Sequence, residues 1–402
     1  MNILFLTLLD FESIEEHNIY ADLLREFSND NHNIYVISPT ERRKNKDTRL
    51  IKNNNVSILK LKIGNTQKTN IIEKGISTIM IESLFIKGIK KYFSNIKFDL
   101  IIYSTPPITF YKAIKYLKNR DGAKTYLLLK DIFPQNSLDI GLLNKNGVKG
   151  LIYKYFRNKE KKLYKVSDYI GCMSKANVDY VLNHNSFIDP KKVEICPNSV
   201  EVVDMSVDTK TRESIRLKYN IPLNKKIFVY GGNLGKPQGI DFLIECLKSQ
   251  FENKDVFFLI IGNGTERHKL EKFYEENINR NFMLMQSLPK EDYDTLVGAC
   301  DVGMLFLDHR FTIPNFPSRI LSYMQAKVPV LAVTDPNTDV GKVITDGDFG
   351  WWCESNSIDE FNKAIMNVEN CDLYTLGENG YNYLNNNYTS EKSFNIIMNR
   401  MN

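Results

Sequence analysis

The chain has 402 residues, more than one ordinary hydrophobic core accommodates, so we expect two domains. Hydrophobic residues make up 43% and charged residues 25%, and a net charge of +5 is too small to indicate a nucleic-acid-binding protein. No apolar run is long enough to cross a bilayer, and the apolar N-terminus lacks the basic flank of a signal peptide, which predicts a cytoplasmic location. Six widely spaced cysteines predict buried thiols and argue against a disulfide framework or a zinc site.

Short apolar runs, typical of strands covered on both faces, alternate with amphipathic helical segments. The predicted strands span residues 3–8, 34–38, 56–61, 100–104, 125–129, 169–173 and 193–196, then 227–230, 256–261, 283–285, 302–307, 328–333 and 350–353. Two such series predict an α/β protein with two doubly wound, Rossmann-like domains facing each other across a cleft. The predicted segments are an N-terminal domain at 1–200, a linker at 201–226, a C-terminal domain at 227–375 and C-terminal helices at 376–402.

Loops rich in glycine, proline or basic residues follow four consecutive strands of the second series. Three of them are Gly231-Gly-Asn-Leu-Gly-Lys-Pro-Gln-Gly239, Gly262-Asn-Gly264 and Gln286-Ser-Leu-Pro289. Doubly wound sheets bind ligands at the carboxyl ends of their strands, and glycine lets a phosphate approach the backbone. A tight strand–helix connection explains each loop equally well when it is taken alone. Their clustering predicts a nucleotide site, although neither a Walker loop nor a G-x-G-x-x-G fingerprint is present.

The fourth loop belongs to the stretch Arg310–Thr334, where Pro314 and Pro317 forbid a regular helix. A helix is predicted from about Ser318, with Arg319 in its first turn. An Arg beside the positive end of a helix dipole suggests that a phosphate lies between them. A capped loop with a surface Arg is the alternative.

Two polar segments follow strands of the first series. Asp131, in Lys130-Asp-Ile-Phe-Pro134, could contact a sugar hydroxyl or a reacting centre, and a helix-capping Asp explains it equally well. Glu16, His17 and Asn18 would face the cleft, and here too a helix cap is the alternative.

Two other patterns have a structural and a functional interpretation. Asp292-Tyr-Asp294 resembles a metal-binding D-x-D pair, but residues two apart on a helix do not share a face, so we predict no metal site. Residues 149–165 and 76–93 are basic and apolar helical stretches that could contact an anionic membrane. Packed helices with a solvated lysine face are the commoner explanation.

The ordered set of these motifs resembles the family 4 retaining glycosyltransferases, which have the two-domain GT-B fold. The likeness runs through Lys130–Pro134, Ser167-Asp-Tyr-Ile-Gly-Cys-Met-Ser174, Ile195-Cys-Pro-Asn-Ser199, Tyr230–Lys236, Ile260–Gly264 and the stretch Arg310–Thr334. Phe311–Met324 and Thr334–Lys342 look similar to the N-acetyl-L-fucosamine transferases of bacterial surface-polysaccharide synthesis.

The resemblance implies an enzyme that moves a sugar, an N-acetylated deoxyhexosamine in that subgroup, from a UDP-sugar to a polyprenyl-diphosphate-linked saccharide. Capsule, O-antigen or exopolysaccharide synthesis at the inner face of the cell membrane would be its setting. It also implies that the last helix returns to the N-terminal domain.

Departures from the family pattern fall in the donor loops. The two glutamates that the family commonly spaces E-x7-E align with Pro314 and Ser322, and its phosphate-binding Arg and Lys align with Asn233 and Gln238. The histidine often found after the first-domain strand is also absent. Lys236 and Arg319 are left as the nearby cations, so we expect rearranged donor contacts.

We therefore predict a metal-independent transfer with anomeric retention, in which the diphosphate charge is stabilised by cations and backbone N–H groups. The predicted catalytic residues are Asp131, Lys236 and Arg319, and the predicted acceptor-side residues are Glu16, His17 and Asn18. The predicted donor-binding residues are Gly232, Asn233, Gly235, Gly262, Gly264, Leu288, Asn315, Phe316, Pro317, Ser318 and Ser322. A sugar-nucleotide epimerase of the same fold, or a weakly active family member that serves as a binding partner in polysaccharide assembly, remains as an alternative.

Overall fold

A computed structural model describes residues 1–65 and 71–401 and divides the chain into two compact units. Unit 1 is Met1–Glu201 together with Ser390–Asn402, and unit 2 is Val202–Thr389. Each unit contains one mainly parallel sheet with helices, which confirms the prediction of two Rossmann-like α/β domains.

Unit 1 is built on an eight-stranded sheet with the order β3-β4-β2-β1-β5-β6-β7-β8, in which only the β3–β4 pair is antiparallel. Its strands are β1 (Asn2–Leu6), β2 (Asn33–Glu41), β3 (Arg49–Asn53), β4 (Val56–Ile63), β5 (Leu100–Ser104), β6 (Lys124–Leu129), β7 (Tyr169–Cys172) and β8 (Val193–Ile195). Its helices before the crossing into unit 2 are α1 (Ile19–Asn29), α2 (Ile71–Tyr92), α3 (Tyr111–Asp121), α4 (Gln135–Asp139), α5 (Gly147–Val166) and α6 (Lys175–His184).

The central strand β1 shows why this sheet needs helices on both faces. Ile3 and Phe5 point into one buried cluster, whereas Leu4 and Leu6 point into another. All four side chains are fully buried, as expected for a continuous apolar strand in the middle of a parallel sheet.

The edge strand β3 was not predicted, because its sequence Arg-Leu-Ile-Lys-Asn carries no alternating apolar pattern. It forms a hairpin with β4 through Asn54, whose φ of 48° lies in the left-handed region that Asn tolerates.

Unit 2 contains a six-stranded, fully parallel sheet with the order β11-β10-β9-β12-β13-β14. Its strands are β9 (Lys226–Asn233), β10 (Val256–Asn263), β11 (Phe282–Met285), β12 (Val302–Phe306), β13 (Val330–Thr334) and β14 (Gly350–Glu354). Its helices are α7 (Thr209–Lys218), α8 (Ile240–Ser249), α9 (Arg267–Glu276), α10 (Lys290–Gly298), α11 (Arg319–Gln325), α12 (Val340–Asp346), α13 (Ile358–Glu369) and α14 (Leu373–Asn387).

The segment 201–226, predicted as a linker, instead contains α7 and belongs to unit 2 from Val202 onward. Arg212 and Arg216 of this helix both pair with Asp301, and the same carboxylate accepts the N–H of Ile227 at 2.6 Å. These ion pairs attach α7 to the rest of unit 2, although its polar sequence resembles that of a linker.

The last two helices lie in different units. Helix α14 belongs to unit 2, whereas α15 (Ser390–Met398) belongs to unit 1 and packs on α1. The Phe394 and Phe27 rings meet edge-on at 4.8 Å, and the Ser390 hydroxyl donates to the Glu26 carboxylate at 2.6 Å. Residue 402, the end of the predicted C-terminal segment, lies outside the described residues.

Five of the six cysteines are buried free thiols, as predicted, but Cys371 is exposed. No helix within 1–65 and 71–401 is long and apolar enough to cross a membrane.

Candidate functional site

A cavity of about 550 Å³ lies in unit 2 where β9 and β10 end. The loop after β11, the helix α10 and the start of α11 complete its wall. Its lining residues are Gly231, Gly232, Asn233, Ile261, Gly262, Asn263, Ser287, Leu288, Lys290, Tyr293, Ser318 and Arg319. This set contains two cations and no carboxylate, so the cavity suits an anionic ligand.

Arg319 is the distinctive polar group of this cavity. Its guanidinium carbon lies 4.7 Å from the centroid of the Tyr230 ring, a cation–π arrangement. The Nη1 atom is buried and finds no hydrogen-bond partner among the residues that the structure describes. A buried guanidinium N–H without a partner is costly, so this atom can take an acceptor from a ligand or a water molecule in the cavity.

Two glycines let the backbone pass close to this guanidinium. Gly232 has a φ of +128°, and a Cβ at this position would lie 3.3 Å from the Arg319 Cζ atom. Gly262 has a φ of +151°, and its Cβ would overlap the carbonyl oxygen of Gly232 at 1.9 Å. Glycine at 262 is therefore explained by strand packing, and glycine at 232 by both backbone conformation and space.

The glycine-rich loop after β9 carries a neutral pair where the family resemblance would place cations. The Asn233 amide donates to the Gln238 side-chain oxygen at 3.0 Å, and the same oxygen accepts the Gly235 N–H at 3.2 Å. Lys236, half-buried in the same loop, makes no ion pair with any residue in the described ranges. It is available to an anion, but it is not among the residues that line the cavity.

The loop before α11 is held from behind by a buried carboxylate. Thr338 donates its hydroxyl to Asp335 at 2.9 Å and accepts the Asn315 N–H at 3.0 Å. The Asn337 amide donates to the Phe311 carbonyl at 2.7 Å. Burial raises the pKa of Asp335 to about 6, although hydrogen bonds from Thr338 and the backbone oppose the shift.

The structure brings six of the predicted donor-side residues together in the cavity lining. They are Gly232, Asn233, Gly262, Leu288, Ser318 and Arg319. The predicted residues outside the lining are Gly235, Lys236, Gly264, Asn315, Phe316, Pro317 and Ser322. Helix α11 has only seven residues and no side-chain N-cap, so its dipole is short and Arg319 is the main local charge.

Sequence reasoning missed the contribution of α10. Tyr293 is so close to the β9 loop that a Cβ on Gly231 would lie 2.0 Å from its hydroxyl. Lys290 pairs with Asp294 within the same helix. The two carboxylates of Asp292-Tyr-Asp294 have different cationic neighbours, because Asp294 pairs with Lys290 whereas Asp292 lies 3.9 Å from Lys218. The only sequence signal for α10 was its position directly after the Gln286–Pro289 loop.

In unit 1, Asp131 follows the carboxyl end of β6. Both of its carboxylate oxygens accept from the Asn136 amide, at 2.8 and 2.9 Å. Burial raises the pKa of Asp131 to about 6, against the hydrogen bonds from Asn136. Burial also lowers the pKa of the neighbouring Lys130 amine to about 8. Asp131 is thus a carboxyl group that can exchange a proton near neutral pH.

Two of the three residues predicted on the acceptor side, Asn18 and Glu16, accept hydrogen bonds from the nearby backbone. Asn18 caps α1 by accepting the N–H groups of Tyr20 and Ala21. Glu16 accepts the N–H groups of Glu12 and Ser13.

His17 is exposed, and its ring comes within 4.8 Å of the Asp22 and Glu201 carboxylates. Arg25 pairs with both of these carboxylates, at 2.5 and 2.7 Å. This arrangement does not need a metal ion to balance the acids.

The chain was compared with protein families, curated proteins and solved structures. Residues 211–386 match the family model described as glycosyl transferases group 1. The chain thus carries a group 1 glycosyltransferase domain in unit 2. The enzyme is 25% identical over 333 residues to the probable glycosyltransferase WbjE of Pseudomonas aeruginosa, which covers 82% of this chain and 80% of that protein.

Two further comparisons concern the donor and the acceptor. The glycosyltransferase is 22% identical to the Escherichia coli UDP-Gal:alpha-D-GlcNAc-diphosphoundecaprenol alpha-1,3-galactosyltransferase, over 45% of this chain and 46% of that protein. An E. coli structure described as trehalose-6-phosphate bound with UDP-2-fluoro glucose aligns with a TM-score of 0.74 at 9% identity, covering 100% of this chain and 99% of that one. This likeness confirms the GT-B fold.

Proposed function

We propose that this glycosyltransferase moves a sugar from a UDP-sugar to a polyprenyl-diphosphate-linked saccharide, with retention of the anomeric configuration and without a metal ion. An N-acetylated deoxyhexosamine is the donor sugar that the subgroup resemblance favours. Capsule, O-antigen or exopolysaccharide synthesis at the inner face of the cell membrane is the proposed setting.

The observation that carries the proposal is the Arg319 Nη1 atom, which has no hydrogen-bond partner within 1–65 and 71–401 and lies in a cavity whose lining has no carboxylate. A diphosphate would supply the acceptor that this buried donor lacks, in the bidentate geometry that a guanidinium favours. The side chains of Asn233 and Gln238 are neutral and hydrogen-bonded to each other. In this proposal they do not neutralise the diphosphate, and Arg319 does so instead.

The comparisons support the ligand classes without fixing them. The name of the E. coli galactosyltransferase contains UDP-Gal and a diphosphoundecaprenol-linked sugar, and the structural relative is described with a UDP-sugar analogue. The same two classes, a UDP-sugar and a lipid-linked saccharide, are therefore the first to test here.

In the proposed reaction the acceptor hydroxyl attacks the anomeric carbon on the face from which the UDP leaves. The bond from carbon to the diphosphate oxygen breaks as the new glycosidic bond forms, and the hydroxyl proton passes to the departing phosphate. Arg319 and Lys236 stabilise the growing negative charge on the diphosphate, which is the role that a metal ion would otherwise fill. Asp131 would accept a hydrogen bond from an acceptor hydroxyl.

The donor is tested by a thermal-shift screen with UDP-, GDP- and dTDP-sugars, and with ATP and NAD as controls. A ligand that binds only the folded state raises the melting temperature with occupancy. We expect a shift with UDP and UDP-sugars and none with NAD or ATP. A shift confined to another nucleotide would overturn the donor assignment.

Turnover separates the proposal from its two alternatives. Product chromatography with donor, enzyme and a lipid-linked acceptor should show sugar transfer. A changed nucleotide sugar in the absence of acceptor would identify an epimerase. UDP binding without any conversion would instead identify a binding partner of an assembly complex.

A further inference from the structure

The first half of α5 exposes an apolar stripe that no part of the described chain covers. Val148, Leu151, Ile152 and Tyr155 are 74%, 67%, 41% and 43% exposed. Their spacing of i, i+3, i+4 and i+7 places all four on one face of the helix. Large apolar side chains are exposed singly on most proteins, but a continuous stripe marks an interaction surface.

Lysines flank this stripe and continue along the rest of the helix. The exposed charges of α5 are all positive and belong to Lys149, Lys154, Lys161, Lys162 and Lys165. The one acid of the helix, Glu160, is buried and pairs with Arg157. With 3.6 residues per turn, Lys149 and Lys154 fall on opposite flanks of the stripe.

We infer that this stripe is the surface by which the enzyme lies on an anionic lipid leaflet. An apolar face bordered by lysines inserts into the boundary between headgroups and acyl chains while its cations meet acidic lipids. A second copy of the chain fits less well, because a symmetric contact would bring the lysines of both copies together.

The stripe is more specific than the two helical segments that the sequence indicates. The later part of α5 packs against the core of unit 1, and its Leu163 and Tyr164 side chains are buried. On α2 the exposed apolar residues are Ile79 and Met80, whereas the side chain of Ile76 lies outside the described residues. Lys159 of α5 pairs with Glu82 of α2 at 3.3 Å. Ile79 and Met80 therefore lie on the helix next to α5.

The helix that carries the stripe also packs on the segment that follows Asp131. Tyr153 donates its hydroxyl to Gln135 at 2.9 Å, and the rings of Phe156 and Phe133 meet edge-on at 5.0 Å. Residues on the inner side of α5 thus hold the segment that follows Asp131. This step rests on the proposed function: a lipid-linked acceptor would be presented to Asp131 from the same leaflet.

Vesicle co-sedimentation of the full chain tests the surface. The probes are phosphatidylcholine vesicles with and without phosphatidylglycerol. The test variant is Leu151→Ser/Ile152→Ser, and the matched control is Leu217→Ser, a leucine of α7 that is 63% exposed in unit 2. Because the replaced side chains are exposed, we expect all variants to keep the wild-type circular dichroism.

Wild type should bind the phosphatidylglycerol vesicles, and the double variant should lose at least about tenfold in affinity, whereas Leu217→Ser should not. Lys149→Gln/Lys154→Gln should weaken binding to the anionic vesicles only. Absence of wild-type binding, or equal binding by the double variant, would overturn the inference. So would a wild-type dimer that the double variant converts to a monomer, since the stripe would then be a self-interface.

The same samples separate this inference from the proposed donor. Vesicle binding that depends on the stripe, without any UDP thermal shift, would refute the donor assignment and support the membrane surface. A UDP-dependent thermal shift without vesicle binding would support the donor assignment and refute the membrane surface. Transfer to a detergent-solubilised acceptor should be equal for wild type and the double variant, while transfer in vesicles should fall.

Discussion

At the scale of single residues, the cavity depends on a glycine that leaves room for a guanidinium. Gly232→Ala would place a Cβ 3.3 Å from the Arg319 Cζ atom at a φ of +128°. We expect UDP affinity to fall by about tenfold, because the guanidinium is displaced. The free energy of unfolding should fall by about 1–2 kcal/mol from backbone strain. Calorimetric titration and urea denaturation measure the two effects.

Gly122→Ala is the matched control. Gly122 ends α3 with a φ of +71°, and a Cβ there meets nothing within 4 Å. It should lose stability to a similar extent and keep wild-type UDP affinity. Equal UDP affinity in the two alanine variants would show that Gly232 has no role beyond its backbone conformation.

The carboxyl group of Asp131 should leave a signature in the pH dependence of stability. Its folded-state pKa of about 6 lies above the ordinary value of 3.8, so the folded state holds the proton more tightly. The stabilisation is present below about pH 4 and lost as the pH rises to about 6. Relative to Asp131→Asn, wild type should therefore lose on the order of 2–3 kcal/mol across this window.

Urea denaturation of both proteins at several pH values between 4 and 7 provides the comparison. Asp255→Asn, which changes an exposed carboxyl group in unit 2, serves as the control and should run parallel to wild type. Parallel curves for Asp131→Asn and wild type would mean that the proton on Asp131 is not held by burial.

Residue identity alone indicated Arg319 and Asp131, because a lone cation or acid after a buried strand is visible in the sequence. It did not indicate Tyr293 or Lys290. Their place in the cavity depends on how α10 approaches the β9 loop, which no local pattern encodes. The burial that shifts the pKa of Asp335 is likewise a property of packing.

At the scale of elements, the loop before α11 is positioned by the turn after β13. Thr338→Val removes a hydroxyl that accepts the Asn315 N–H and donates to Asp335. The Asn315 N–H and one carboxylate oxygen of Asp335 then lose this partner, whereas the other oxygen keeps the backbone N–H groups of Asn337 and Thr338. We expect a loss of about 1–3 kcal/mol in the free energy of unfolding. The KM for the donor should rise, because the loop loses its support. Steady-state kinetics and denaturation report these changes.

Thr345→Val on α12 is the control, because its hydroxyl donates only within the helix, to the Gly341 and Lys342 carbonyls. It should leave the KM unchanged. An unchanged KM in Thr338→Val, despite lower stability, would mean that the loop keeps its conformation without this hydrogen bond.

Most strands were predictable because strands covered on both faces read as continuous apolar runs. The exceptions have physical causes. β3 is a polar edge strand, signalled only by the Asn-rich turn before β4. The helix α7 looks like a linker because its anchors are Arg212 and Arg216, whose shared partner Asp301 lies far along the sequence.

At the scale of the whole molecule, the chain returns to unit 1 at Ser390 and closes the core with α15. Ile397 is fully buried in the same cluster as Phe27 and Leu24. Ile397→Ala should lower the free energy of unfolding of unit 1 by about 2–5 kcal/mol, because it leaves a cavity. UDP should still stabilise unit 2, which lacks this residue. Thermal unfolding with and without UDP distinguishes the two units.

Asn395→Ala, an exposed change on the same helix, should leave stability unaltered. If Ile397→Ala unfolds like wild type, the last helix contributes little to the unit 1 core. The return itself was expected from the family resemblance, whereas the crossing points at 201/202 and 389/390 come from the distribution of contacts.

The most direct measurement is a calorimetric titration of UDP into wild type, Arg319→Ala and Arg280→Ala. Arg280 is the control, because it too stacks on an aromatic ring, with Cζ 4.8 Å from the Phe251 centroid, but already pairs with Glu252. We predict that wild type and Arg280→Ala bind UDP equally and that Arg319→Ala binds about 10–100 times more weakly. Equal UDP affinity in all three proteins, or no UDP binding by wild type, would contradict the assignment of this cavity to the donor diphosphate.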